Sequence, residues 1–234
     1  MIISDSYITL LLVNNALEKL IEHKQGGLVI DMAEHYFNNW VKENKDLDPF
    51  FFKVCKLAFK NGQDDLKFPF IKRMMKFSGQ NPSLAEMIAE AYKEKEEYYR
   101  AYTYSFRANS PHMTVDLLLN HIIDLGYPNE VDLFKLRAVL EYAISNNIEC
   151  AEVLIKKLWD ENESNPHKNM AQAVITWIDK DRFDIFFLIK DSYKGIICSD
   201  PHLFDYLDKI SNTHFQKPLK KPNMMQQMMQ SMFS

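Results

Sequence analysis

The sequence predicts an all-α chain, a right-handed α-solenoid of about six tetratricopeptide-like helical hairpins, on three observations. Helix-breaking residues at Pro49, Pro82, Pro111, Asn147 and Asp181 recur at intervals of about 29 to 36 residues, close to the roughly 34-residue period of such hairpins. Glycine is scarce, six in 234 residues, and alternating Val/Thr-rich runs bounded by turns are missing. Between Val131 and Ile144 the apolar residues fill far more than one stripe, while Glu130, Arg137 and Glu141 share a narrow face, so neighbours must cover this helix on at least two sides. Residue identities do not repeat from hairpin to hairpin; the repeat is architectural.

The elements follow in order. A first helix is expected from about Ser6 to Lys24, stopped by Gly26-Gly27, and a second from about Leu28 to Glu43, with Ile30, Ala33, Phe37, Trp40 and Val41 at helical spacing. Asp48-Pro49 opens a third that ends at Asn61-Gly62; a fourth, about Asp64 to Phe77, contains Pro69 and so starts late or bends. Asn81-Pro82 caps a fifth, with Ala85, Ile88, Ala89 and Tyr92 on one face, and EEYYRAYTYSFRA forms a sixth. Ser110-Pro111, Pro128, Asn147, Asn165-Pro166, Asp181 and Asp200-Pro201 begin the remaining six, the last fading near His214. Gly126 is expected to close the seventh in a left-handed conformation, with Pro128 in the first turn of the eighth. One domain is expected over 1–217, in halves 1–125 and 126–217, followed by a flexible tail, 218–234. There Met224, Met225, Met228, Met229, Met232 and Phe233 fall at i, i+1, i+4, i+5, i+8 and i+9, a methionine stripe if the segment is helical.

Composition narrows the function classes. An apolar fraction of 47% is ample for a core, and a net charge of −4 lacks the basic footprint of a nucleic-acid or anionic-membrane binder. Cys55, Cys150 and Cys198 are odd in number, far apart and set among apolar residues, which predicts buried free thiols in a reducing compartment. Without a signal peptide at its start or an apolar run of roughly 18 residues, the chain is expected in the cytosol.

The spacings of catalytic and metal sites are missing: histidines are scattered, no cysteine pair has a two-residue gap, and neither a phosphate-binding glycine loop nor a Gly-x-Ser-x-Gly elbow occurs. No enzyme activity and no cofactor are expected. Tyr98, Tyr99, Tyr102, Tyr104 and Phe106, interleaved with Arg100 and Arg107, could stack nucleobases, but without a wider basic surface packing between helices is the stronger reading.

The run GYPNEVDLFKLRAVLEYAISNN, Gly126 to Asn147, resembles the signature region of the Golgi to ER traffic protein 4 family. AYKEKEEYYRAYTYSFRANS is similar to the family's hairpin with a tyrosine-rich helix before a polar turn. SDPHLFDYLDKISNTHF, Ser199 to Phe215, is similar to its last solenoid helix, the Asp-Pro start and Tyr-Leu-Asp triplet being the matching features, and the likeness runs from about Leu20 onward.

What the resemblance implies is a non-enzymatic, two-ended adaptor in delivery of tail-anchored membrane proteins to the ER. N-terminal helix pairs would bind the homodimeric targeting ATPase, C-terminal pairs the N-terminal segment of a ubiquitin-like-domain protein, and in animals a larger ubiquitin-like scaffold joins them. The candidate positions are Phe186, Phe187, Tyr193, Phe204, Leu207 and Phe215 for the ubiquitin-like partner and Glu34, Lys42 and Asp46 for the ATPase. Two departures are expected: roughly one helix pair fewer before Ala16 to Leu28, and a short Asp160 to Lys168 connection where members often have a longer loop or β-hairpin that grips the partner. The alternative is a helical-repeat scaffold of another cytosolic assembly, such as a proteasome-lid or vesicle-coat subunit.

Overall fold

The computed structural model describes residues 5–38, 49–62, 64–77 and 81–219, in which every regular element is a helix. In the first of two compact units, Met1–Ala108, the helices are α1 (Asp5–Glu22), α2 (Gly26–Tyr36), α3 (Pro49–Asn61), α4 (Asp64–Phe77), α5 (Pro82–Glu94) and α6 (Tyr98–Arg107). Each packs on the next in sequence wherever both flank a described turn, and α1 also meets α3, α2 meets α4 and α3 meets α5. Contacts to the first and second neighbour along the chain are the signature of stacked hairpins. Leu17, Val29, Ile30, Ala33, Val54, Ala58, Phe70, Ile71, Leu84 and Ile88 form its core.

The second unit, Asn109–Ser234, begins with α7 (Pro111–Leu117), which continues as a π turn (Leu118–Ile122) and a 3-10 turn (Ile123–Leu125). It proceeds through α8 (Val131–Ile144), α9 (Ile148–Leu158), α10 (Pro166–Asp179), three short pieces α11 (Phe183–Phe186), α12 (Ile189–Ser192) and α13 (Lys194–Ser199), and α14 (Pro201–Phe215). The eleventh helix expected from Asp181 is therefore broken twice. The backbone tightens at these breaks, Leu188 N–H reaching Ile185 and Asp191 N–H reaching Leu188, each only three residues back. Stacking persists through α10, and then α14 returns to pack on α8, which already contacts α9 and α10. The helix that the sequence marked for cover on two sides has three helices against it.

Helix starts follow cap chemistry. Asn81, Asn147, Asn165 and Asp200 each accept a backbone N–H two or three residues on, and a proline follows immediately in all but Asn147. Helix ends depend on residues other than glycine. Lys24, Glu96, Asn109, Asn146, Asp181 and Gln216 all have φ between 49° and 60°, and the last four are spaced by 37, 35 and 35 residues, the hairpin period. Behind Lys24, Glu96, Asn146 and Asp181 the next N–H reaches back five residues: Gln25 to Leu20, Glu97 to Tyr92, Asn147 to Tyr142 and Arg182 to Trp177. That is the closure usually built on glycine.

The glycines lie elsewhere. Gly26 and Gly27 open α2, contrary to the expected helix stop, because the left-handed turn is already made at Lys24. Gly126 is extended (φ −102°, ψ −175°), not left-handed, and serves close approach: a Cβ there would lie 2.4 Å from a ring carbon of Phe134. The expectation of three buried thiols also needs correction. Cys55 is buried, Cys150 half-buried and Cys198 exposed, since α13 is too short to turn every apolar residue inward.

Two substitutions test this account by urea denaturation. A left-handed conformation costs an ordinary residue about 1–2 kcal/mol, of which glycine's greater unfolded freedom returns roughly half, so Glu96→Gly is expected to stabilise by about 0.5–1 kcal/mol. Gly126→Ala is expected to destabilise by about 1–3 kcal/mol by pushing Phe134 aside.

Candidate partner-binding surfaces

The charged strip of α8 is where α14 docks. Arg137 donates to Asp200 from Nε (2.9 Å) and Nη2 (2.8 Å), while the other oxygen of the same carboxylate accepts the His202 N–H that starts α14. Asp200 is buried, so the guanidinium and the helix N-terminus together replace its hydration. Further along, burial and the negative charge of Glu141 push the Tyr206 hydroxyl up to about 12. At the far end a ring nitrogen of His214 lies 2.7 Å from the Ala143 carbonyl. Asp200 at mid-α8 and His214 at its C-terminus set α14 running obliquely in the same direction.

Beyond α14 the chain turns at left-handed Gln216 and is tied down. The Ser211 hydroxyl donates to the Lys217 carbonyl (2.5 Å) and the Leu219 N–H to an Asp208 oxygen (2.7 Å). This end meets an aromatic cluster: Phe215 lies 5.1 Å from Phe186 and 5.6 Å from Phe183, Phe183 lies 6.0 Å from Phe187, and the Lys217 ammonium sits 4.7 Å from the Phe183 ring.

Of the six positions expected to face the ubiquitin-like partner, Phe186 and Leu207 are core, Phe204, Phe215 and Tyr193 are half-buried, and Phe187 is exposed. Leu188, 54% exposed beside Phe187 at 37%, was not among them. Its exposure follows from the break between α11 and α12, which no periodicity signals. Phe183, Lys190 (4.2 Å over Phe187) and Lys217 also join the cluster unannounced, although the i, i+4 spacing of Phe183 and Phe187 was available to find the first.

The short connection Asp160 to Lys168 is organised from within. The Lys168 ammonium, on a residue only 5% exposed, donates to the carbonyls of Asp160 (2.6 Å), Glu161 (2.7 Å) and Glu163 (3.4 Å). Asn165 caps α10 with its oxygen and donates to Asp132 (2.8 Å) with its nitrogen; the Trp159 indole donates to the other Asp132 oxygen (3.0 Å). Burial pushes the Asp132 carboxyl up, but these hydrogen bonds and the charges of Lys135 and His167 outweigh it and leave the group below the usual carboxylate range.

In the first unit, Glu34 on α2 pairs with Arg73 on α4, tying two helices together, while Lys42 and Asp46 lie outside the described residues. The tyrosines at 98–106 divide. Tyr104 is buried in a run of rings, Phe59, Phe68, Tyr92 and Tyr104, at centroid separations of 5.4, 4.6 and 5.7 Å, covered by Lys67, Lys95, Arg100 and Arg107. These cations lie over rings that already stack on one another, as the packing reading expects. Tyr99 by contrast is exposed, and Tyr102 and Phe106 pair edge-on at 4.9 Å. Among the described residues no three His, Cys, Asp or Glu side chains converge as metal ligands, and no helix is long and apolar enough to cross a membrane.

The Tyr206 assignment has a pH consequence. A phenol whose native pKa is raised stabilises the fold fully below its unfolded value near 10, and that contribution is lost as the pH rises through about 12. Stability measured between pH 9 and 12 is expected to fall less steeply in Tyr206→Phe than in the parent chain. Arg137→Ala, which strands Asp200, is expected to cost about 3 kcal/mol by denaturant titration.

Comparison with known proteins agrees with this architecture. Residues 7–233 match the family described as Golgi to ER traffic protein 4. Homologues of that name from Oryzias latipes and Xenopus laevis (homolog B) are 23% and 22% identical over 72% and 85% of this chain; the Dictyostelium discoideum homologue is 21% identical over 97%. The chain spans 56% of the Oryzias protein, 66% of the Xenopus one and 77% of the Dictyostelium one. The crystal structure of C. therm. Get4 superposes with a TM-score of 0.77, covering 96% of this chain and 82% of that one at 17% identity, a likeness of fold. With the family matched across almost its whole length, the chain belongs to the Golgi to ER traffic protein 4 family.

Proposed function

We propose that the chain is a non-enzymatic cytosolic adaptor in the delivery of tail-anchored membrane proteins to the ER. In this reading the second unit holds the N-terminal segment of a ubiquitin-like-domain protein and the first faces a homodimeric targeting ATPase. Family membership over 7–233 is the observation that carries the proposal. The exposed edge at Phe187 and Leu188 supports the assignment of the first partner, because adjoining large apolar side chains left on a surface suit a protein contact. The first-unit contact rests on the resemblance alone, with Glu34 engaged by Arg73 and Lys42 and Asp46 as the remaining candidates.

Pull-down with the tagged chain from its own cytosol is expected to recover a targeting ATPase together with a ubiquitin-like-domain protein; coat or proteasome-lid subunits instead would overturn the proposal. Within the candidate cluster the variants separate by burial. Phe186→Ala is expected to destabilise by about 3–5 kcal/mol and to impair binding only through folding. Leu188→Asp is expected to leave the melting temperature within a few degrees while weakening the ubiquitin-like partner about 30-fold, the loss of one interface anchor, measured by calorimetric titration.

A further inference from the structure

We propose that the groove between α3 and α5 is an interface for a second copy of this chain, paired about a two-fold axis that runs along the groove. The proposal concerns the first unit by itself and does not draw on the adaptor function.

α3 and α5 touch, and with α4 between them in the stack they run in the same direction. Each carries one sign of charge along its side of the groove. Lys53, Lys56 and Lys60 fall at i, i+3 and i+7 of α3, Glu86, Glu90 and Glu94 fall at i, i+4 and i+8 of α5, and all of them are exposed. Between the stripes lies a cleft of about 280 Å³, with Lys56 and Lys60 on one wall, Glu90 and Glu94 on the other, and Phe59 and Met87 supplying apolar surface. Lys67 enters it from α4, over the Phe59 ring at 5.6 Å. Among the described residues Lys56, Lys60, Glu90 and Glu94 have no ion-pair partner. Like charges at this spacing repel and weaken a helix, so each stripe is a cost to its own element that an opposite stripe relieves.

The pattern is complementary to itself in one orientation. A half-turn about an axis along the groove lays α3 of one copy on α5 of the other, parallel and level, so that a lysine stripe meets a glutamate stripe twice over. A half-turn about an axis across the groove sets lysine on lysine and glutamate on glutamate. Charge therefore selects the axis, and it also selects the occupant. A uniformly acidic or basic partner would satisfy one stripe and be repelled by the other, whereas a second copy supplies both. Exposed ion pairs contribute little each and the apolar surface between them is small, so the dimer is weak and sensitive to salt.

Sedimentation equilibrium of the full chain tests the proposal. Association is expected at roughly 0.1–1 mM protein in low salt and to be about tenfold weaker at about 0.5 M salt. Lys56→Glu with Lys60→Glu makes both stripes acidic, and Glu90→Lys with Glu94→Lys makes both basic. Each double variant is expected to lose self-association by about tenfold or more, while an equal mixture of the two pairs within about threefold of the parent affinity. These substitutions are on the surface and are expected to leave the melting temperature within a few degrees; the salt dependence of the parent needs no variant. A parent chain that stays monomeric at about 1 mM, a dimer indifferent to salt, or double variants that associate like the parent would overturn the proposal. Double variants that each lose association and fail to pair with one another would overturn the axis and the assignment with it.

Discussion

The Arg137–Asp200 pair is the contact on which the second unit depends. One carboxylate, buried between two helices, accepts from two nitrogens of a guanidinium on α8 and from the first free N–H of α14. A buried charge is tolerated only with such pairing, and it fixes position because a slide of α14 by one turn would leave the Asp200 carboxylate stranded. Apolar contacts alone would allow neighbouring registers. With α14 held, Leu203, Leu207 and Ile210 are buried, His214 reaches the end of α8, and Phe215 comes against Phe186. The aromatic edge is thus placed by an ion pair at the opposite end of the helix that supports it.

The same pair explains why the chain departs from an open stack. A regular solenoid adds each hairpin to the one before, whereas here the last helix closes on α8, the first long helix of the unit. The broken run α11–α13 makes this possible: three short segments, α11, α12 and α13, carry the chain from the end of α10 to the start of α14, where a straight helix would have continued the stack. Breaking the helix also turns Phe187 and Leu188 outward. The return of α14 and the exposed edge are two results of one interruption.

Local chemistry was legible in the sequence and tertiary consequences were not. Asn81, Asn147, Asn165 and Asp200 were readable as helix starts because a cap needs only a short polar side chain and the N–H two or three residues on. The cover over α8 was readable from apolar residues on too many faces for one neighbour. Helix ends were harder: the rule seeks glycine, and the fold places Lys, Glu, Asn, Asp and Gln in the left-handed conformation, where tertiary packing overrides a cost of about 1–2 kcal/mol. Gly26, Gly27 and Gly126 accordingly misled. For the candidate site, the aromatic residues were visible and their exposure was not, since Phe186 and Phe187 are alike in sequence and differ only through the break that follows them. The strip Glu130, Arg137 and Glu141 read as polar, and only the fold shows that Arg137 is spent on Asp200 rather than on solvent.

Lys168 gives the short 160–168 connection a further property. Its ammonium, on a residue only 5% exposed, donates to three backbone carbonyls, and it must give up these bonds and a proton before its nitrogen can act as a nucleophile. Proteolysis after this residue, its acylation, and attachment of ubiquitin to it all require the loop to open first. The loop therefore protects one lysine of a chain rich in exposed lysines from chemical modification for as long as α10 remains capped.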